Sequence, residues 1–140
     1  MVLYRFGALT PGAAGALTGL GAYAYKRLWY LSRKFGLVRE VPYFERLGRR
    51  KRKAAVLYYL MAEGVRFALQ ELDQDVPVNL PRQRPVNVEL EVRKSKFVEA
   101  VAPQAGSLLP ASEVRKGASL PHNVALHFLV GQVGVYILPS

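Results

Sequence analysis

The chain contains no cysteine, which excludes disulfide bridges and thiolate metal sites. Acidic residues are missing from the N-terminal region as well, where the first carboxylate is Glu40. An N-terminal region that contains Arg5 but no acid is typical of mitochondrial targeting, and we expect the import signal to be internal and retained. The acid-poor N-terminal region therefore indicates a mitochondrial protein, whereas the absence of cysteine fits any compartment.

Groups for catalysis are also scarce. His122 and His127 are five residues apart with no cysteine or acid beside them, so we expect satisfied or solvated histidines rather than metal ligands. Glu89 and Glu91 share a face of a predicted strand, where they form either an acid pair or cross-strand partners of Lys and Arg. No GK[ST] follows the N-terminal glycines, which excludes a P-loop. We therefore predict no catalytic residue, metal or cofactor, and no enzyme.

The positive charge is concentrated in one stretch. The formal net charge is +10, and residues 26–53 hold eleven bases against two acids. Residues 54–140 hold eight bases and eight acids. A basic stretch of this kind favours anionic partners, namely nucleic acid, phospholipid headgroups or acidic protein surfaces.

An uncharged run precedes the basic stretch. It contains the 20 residues between Arg5 and Lys26. As a helix it would reach about 30 Å, the hydrocarbon thickness of a bilayer. We therefore predict a transmembrane helix over residues 1–25, with the C-terminal side in the matrix or cytoplasm. The alternatives are a Gly/Ala-rich soluble loop or a helix buried in a large assembly.

Small residues and aromatic rings give this segment two predicted contact surfaces. Five Gly and six Ala fill more than half of the 20 positions. A stripe of small residues lets another membrane helix approach closely, and aromatic rings mark the bilayer interface. The predicted helix-packing residues are Ala8, Gly12, Gly15, Gly19 and Ala22, and the interfacial aromatic residues are Tyr23, Tyr25, Trp29 and Tyr30.

Residues 26–53 form a predicted basic juxtamembrane connector in which aromatics alternate with bases. This pattern suits an anionic lipid such as cardiolipin or an acidic partner subunit, and it equally suits RNA. A solvated charged face is the ordinary alternative. The predicted anion-binding residues are Lys26, Arg27, Arg33, Lys34, Arg49, Arg50, Lys51, Arg52 and Lys53.

The remaining chain predicts an α+β protein. Residues 54–75 show helical apolar spacing and form a predicted amphipathic helix. Residues 76–140 form a predicted extended, β-rich region that begins with a Pro-rich linker. Alternation predicts a strand over 86–92, and a turn over 93–96 would lead into a second strand over 97–102. The C-terminal run is either a second membrane span over 121–138 or, as we favour, a hairpin that turns at Gly131-Gln132.

The sequence over residues 15–31, GALTGLGAYAYKRLWYL, resembles the membrane segment of subunit e of the mitochondrial F-type ATP synthase. The resemblance implies helix packing in the membrane domain near that enzyme's dimer region. The glycine register is shifted, and that family carries a charged coiled-coil tail where this chain has a Pro-rich linker. The residues that fit the family pattern are Ala16, Leu17, Ala22, Tyr23, Arg27, Tyr30 and Leu31.

These features together lead to two functional hypotheses. The first is a structural accessory subunit of a mitochondrial inner-membrane complex, either ATP synthase or a respiratory complex, which packs against neighbouring subunits and anionic lipid. The second is a mitochondrial ribosomal protein that binds rRNA through residues 26–53. The neutral charge of residues 54–140 weighs against the second hypothesis.

Overall fold

The computed structural model describes residues 2–80, 83–104, 106–113 and 126–138. The protein belongs to the α+β class, but the predicted transmembrane helix over 1–25 is wrong. This segment forms three short helices, α1 (Val2–Phe6), α2 (Pro11–Thr18) and α3 (Tyr23–Tyr30). No helix in the described residues is both long and apolar enough to cross a membrane.

Local chemistry explains why the uncharged run breaks into pieces. Gly7 and Gly19 adopt φ values of 82° and 75°, and each follows the end of a helix. Thr10 is the N-cap of α2, since its hydroxyl accepts a hydrogen bond of 3.3 Å from the Ala13 N–H. Pro11 fits the first helical position because its missing N–H is not needed there. The residues that favour turns and helix caps therefore divide the apolar run into short helices, although the run is long enough for one continuous helix.

The predicted stripe of small residues does not form one helix face. Ala8 precedes α2, Gly19 caps it in the left-handed conformation, and Ala22 is exposed before α3. Gly12 and Gly15 do permit close approach, but within the chain. A Cβ on Gly12 would meet the Glu99 carboxylate, and one on Gly15 would meet the Gly21 carbonyl oxygen.

The basic stretch over residues 26–53 is helical up to Phe35, and from Val38 onward it belongs to a β-hairpin. After α3, a π-helical turn (Leu31–Phe35) leads into β1 (Val38–Leu47), which pairs antiparallel with β2 (Arg50–Leu60). The predicted helix over 54–75 is therefore wrong in its first part, and α4 occupies only Ala62–Glu71. Residues 57–60 are buried, and a short apolar run of this kind does not distinguish strand from helix.

The predicted strands over 86–92 and 97–102 are also wrong, because helix α5 occupies Val88–Val101. Asn87 caps this helix by accepting a hydrogen bond of 3.1 Å from the Leu90 N–H. Glu89 and Glu91 lie in the first turn, where carboxylates stabilise the helix dipole. They form ion pairs with Arg93 and Lys94 along the helix, at 3.6 Å and 3.3 Å.

The C-terminal hairpin is confirmed. Strands β3 (Leu108–Pro110), β4 (Phe128–Val130) and β5 (Val133–Val135) form an antiparallel sheet in that order. Gly131 and Gln132 make the predicted turn. Of the alternative membrane span over 121–138, residues 121–125 lie outside the described residues, and 128–135 is the hairpin.

The core lies where the N-terminal helices, β2 and α5 meet. Leu9 forms an isolated bridge with Tyr58 through hydrogen bonds of 3.0 and 2.8 Å, so the N-terminal segment extends the hairpin's sheet. The Phe128 ring lies 5.3 Å from the Phe97 ring and 6.4 Å from the Phe6 ring. These contacts fix the inner half of the hairpin and leave its outer half free of the core.

Candidate functional site

The outer half of the β1–β2 hairpin is the most strongly charged exposed surface in the described residues. We call residues 44–53 the ribbon tip. A β-bulge separates it from the packed half, because Tyr43 pairs with Ala55 while Phe44 pairs with Lys53. Beyond this bulge all residues except Glu45 are exposed. Gly48 allows the tight turn, since its φ of 64° is favourable for glycine.

Both faces of the ribbon tip are basic. Residues directly opposite each other share a face, and successive residues alternate between faces. Arg50 and Arg52 therefore lie on one face, opposite Leu47 and Glu45. The other face carries Arg46, Lys51 and Lys53, together with Phe44. Arg49 lies in the turn between the strands.

Most of the charge of the ribbon tip is not neutralised within the described chain, because six bases stand against one acid, Glu45, which lies opposite Arg52. Arg46 and Lys51 are direct cross-strand partners, and like charges in this position destabilise a hairpin. Neither they nor the other bases of the tip form an ion pair with a described acidic residue. This arrangement concentrates uncompensated positive charge on a thin, two-sided projection.

Tyr58, Glu40 and Arg33 hold the base of the hairpin. The Tyr58 hydroxyl donates a hydrogen bond of 3.2 Å to Glu40, and Arg33 forms an ion pair of 3.6 Å with the same carboxylate. Burial raises the pKa of Tyr58 to about 12, and the Glu40 charge and hydrogen bond add to this effect. Arg33 belongs to the π-helical turn, so this cluster fixes α3 relative to the hairpin.

A second exposed surface lies on α3. We call Tyr23, Tyr25, Trp29 and Tyr30 the aromatic face, and these side chains are between 45% and 68% exposed. The same helix buries Ala24 and Leu28. The protein therefore uses one side of α3 for its core and leaves four aromatic rings outside it.

Two lysines lie over rings of the aromatic face. Lys26 Nζ is 5.7 Å from the centre of the Tyr23 ring, and Lys34 Nζ is 5.7 Å from that of Tyr30. The Phe35 ring packs edge-on against Tyr30 at 5.5 Å. Cations and rings thus lie next to each other along this surface.

His127 is a structural residue. Its Nδ1 accepts a hydrogen bond of 2.8 Å from the Ile137 N–H, and its ring stacks on Tyr136. Burial, with a contribution from Lys94, lowers its pKa. This agrees with the prediction of a satisfied histidine, whereas His122 lies outside the described residues. In the described part of the chain, no three His, Asp or Glu side chains come together as metal ligands.

An apolar cleft of about 300 Å³ lies beside α3 and α4. Its lining includes Leu28, Leu60 and Phe67, with Arg27 and Glu71 as its charged residues. It contains none of the ribbon tip. The residues that carry the subunit e resemblance lie in α2, the following loop, α3 and the start of the π-helical turn.

Most of these residues are predictable from the sequence, but their arrangement is not. Three residues that share the ribbon tip with the predicted bases are absent from the prediction, namely Arg46, Phe44 and Leu47. The available signal was Gly48, which lies between two runs that are rich in β-branched and aromatic residues.

The sequence matches no protein-family model, and comparisons with curated proteins and with solved structures gave no match.

Proposed function

We propose that this protein is a structural, non-catalytic component of an RNA-containing assembly, such as the mitochondrial ribosome, and that the ribbon tip binds the RNA backbone. The observation that supports this proposal is the presence of bases on both faces of an exposed ribbon. A narrow projection of this kind fits a crevice that has phosphates on two sides. Sequence-independent contacts of Lys and Arg with phosphates supply most of the affinity in such binding.

The same observation favours RNA over a lipid surface. Headgroups form a plane, which would contact either one face of the ribbon or its turn. The opposite face would then keep its bases in water, where like charges such as Arg46 and Lys51 repel each other. Folded RNA surrounds an inserted segment, and all of these bases gain partners.

The hypothesis of an inner-membrane accessory subunit depended on a helix over residues 1–25 that the chain does not form. One part of that hypothesis does not need a spanning helix, namely the attraction of the basic stretch to cardiolipin. Binding to anionic lipid is therefore the competing outcome in the experiment.

The experiment measures binding of the full chain to a labelled, structured RNA and to vesicles that contain cardiolipin. The variant Arg50→Gln/Lys51→Gln removes one base from each face of the ribbon tip. The control Arg66→Gln/Lys96→Gln makes the same change in net charge at exposed positions on α4 and α5. We expect the ribbon variant to bind RNA about tenfold more weakly than the control at moderate salt.

Equal RNA affinity of the ribbon variant and the control would contradict the proposal. The proposal would also be contradicted if the chain bound vesicles in the presence of excess RNA and if this binding depended on Arg50 and Lys51. The ribbon tip would then prefer lipid.

A further inference from the structure

We infer that the aromatic face of α3 binds unpaired bases, so that the RNA target is a place where a paired segment adjoins unpaired nucleotides. This inference rests on the proposed function, because it names the kind of RNA that the chain would bind. Proteins recognise unpaired RNA by stacking bases on aromatic rings and by placing cations near the phosphates.

The four rings of the aromatic face are exposed, although rings of this size usually lie in a core. Large aromatic side chains normally contribute to a core, and Tyr23, Tyr25, Trp29 and Tyr30 are all about half exposed or more. The core contact of α3 is made by Ala24 and Leu28 instead. Since the rings do not complete the fold, they are available to a partner.

The shape of the surface is the second argument. One open cleft, of about 380 Å³, is lined by Tyr25, Lys26, Trp29 and Tyr30. A neighbouring cleft, of about 390 Å³, is lined by Leu20, Tyr23, Lys26, Arg27 and Tyr30. Both clefts combine ring surfaces with at least one cation, and they share Lys26 and Tyr30. Two adjacent bases of one strand would find the same chemistry in both.

The cations are the third argument. Lys26 and Lys34 lie over tyrosine rings and form no ion pair with a described acidic residue. A phosphate of the bound strand would supply the missing anion. The rings and the lysines thus match the two chemical parts of a nucleotide.

Helix α3 itself places no aliphatic side chain on this exposed face, where Leu20 of the preceding loop is the one aliphatic lining residue, and this distinguishes it from a lipid-binding helix. An interfacial helix buries an apolar face below the headgroups. Helix α3 directs its aliphatic side chains, Ala24 and Leu28, towards the core and presents rings with polar groups, together with Lys26 and Arg27. Stacking uses such rings, whereas insertion among acyl chains would need aliphatic groups beside them.

A short segment joins the aromatic face to the ribbon. The π-helical turn follows α3 directly and leads into β1, and Arg33 in this turn forms an ion pair with Glu40 on that strand. Tyr25 lies near enough to Tyr58 to raise the pKa of that hydroxyl. We therefore expect one RNA molecule to bind the ribbon tip through a paired segment and to extend its unpaired end along α3.

The chain carries its own reporter for this contact, because Trp29 is the only tryptophan. The experiment compares a blunt RNA hairpin with the same hairpin that carries a short unpaired overhang. We expect the overhang RNA to quench Trp29 fluorescence and to shield it from acrylamide, and the blunt RNA to leave it nearly unchanged.

The matched variants separate stacking from charge. We expect Tyr23→Ala/Tyr25→Ala, which retains Trp29, to bind the overhang RNA about tenfold more weakly and the blunt RNA as wild type does. Phe67→Ala removes a ring of similar exposure from α4 and should bind both RNAs as wild type does. Thermal unfolding of each variant checks that the fold is retained.

The possible outcomes distinguish this inference from the proposed function. Binding to both RNAs with equal affinity and without quenching would overturn the inference and leave the proposed function in place. If, in addition, the ribbon variant Arg50→Gln/Lys51→Gln binds the blunt RNA as tightly as its control does, the proposed function is contradicted. A blue shift of Trp29 with cardiolipin vesicles, together with no response to overhang RNA, would assign the aromatic face to a membrane and overturn the inference.

Discussion

Tyr58 and Glu40 face each other across the β1–β2 hairpin, and the Tyr58 hydroxyl donates a hydrogen bond of 3.2 Å to the Glu40 carboxylate. Tyr58 is fully buried, and its backbone also pairs with Leu9 on the other edge of β2. This residue thus joins the N-terminal segment, the hairpin and, through Glu40 and Arg33, the turn after α3. The orientation of the ribbon tip relative to the body depends on this contact.

The buried Tyr58 hydroxyl predicts a loss of stability in alkali. Its pKa is about 12 in the folded chain, whereas an ordinary tyrosine titrates near 10. Between these pH values the unfolded chain releases the proton and the folded chain keeps it, so the free energy of unfolding falls by up to about 1.4 kcal/mol per pH unit. We expect chemical denaturation of the wild type to show this decline between pH 10 and 12. In Tyr58→Phe the decline should be shallower, and equal slopes would contradict the assignment.

Gly15 supports the packing of α2 against the following loop. A Cβ at this position would meet the Gly21 carbonyl oxygen, which belongs to backbone and cannot rotate away. We expect Gly15→Ala to lower the free energy of unfolding by about 1–3 kcal/mol in urea denaturation, although alanine favours helix. At Gly106, by contrast, an added Cβ meets nothing within 4 Å, so Gly106→Ala serves as the control. If both variants are as stable as wild type, the close contact at Gly15 is not part of the fold.

His127 predicts a loss of stability in weak acid. Its pKa is lowered by burial and by Lys94, so below about pH 6.5 the unfolded chain binds a proton before the folded chain does. The free energy of unfolding should therefore fall as the pH drops below 6.5. His127→Asn retains an acceptor near the position of Nδ1 and removes the titration, and its stability in urea should change less between neutral and weakly acid pH. An unchanged pH dependence in this variant would refute the prediction.

Asn87 is the N-cap of α5, the longest described helix. Its side chain accepts the hydrogen bond from the Leu90 N–H, and alanine would leave that N–H without this partner. We expect Asn87→Ala to cost about 1 kcal/mol in thermal or urea unfolding. Asn79 is exposed in the extended segment before α5, so Asn79→Ala should have little effect. Equal effects at the two positions would argue against the cap.

The region around Asn87 and the turn at Gly131-Gln132 illustrate how far the sequence predicts the fold. The residue pattern over 86–92 alternates as a strand would, and tertiary packing is needed to see that Val92, Ser95 and Val98 form a buried helical face. Asn87 as an N-cap residue, followed by Glu89 and Glu91 in the first turn, was the local signal that competed with this alternation. Gly131-Gln132 was easier, because the turn residues and the flanking β-branched residues favour the same structure.

The N-terminal segment was mispredicted for a related reason. Apolar length suggested a continuous helix, while Gly7, Thr10 and Gly19 each mark a helix end. For the candidate site, the bases at 49–53 and the rings at 23–30 were identified from the sequence. Their distribution over two faces of a ribbon could not be predicted, because it depends on the register of β1 against β2 and on the bulge after Tyr43.

If RNA contacts both faces of the ribbon tip, the bases of each face contribute to the salt dependence of the RNA affinity. The measurement compares wild type with Arg50→Gln/Arg52→Gln, which removes both bases of one face, and with Lys51→Gln/Lys53→Gln, which removes two of the three bases of the other. Arg66→Gln/Lys96→Gln is the control of equal charge. We predict that each ribbon pair makes the slope of log affinity against log salt shallower by about two, while the control retains the wild-type slope. If the slope becomes shallower in only one of the two ribbon variants, or in neither, RNA does not contact both faces of the ribbon tip.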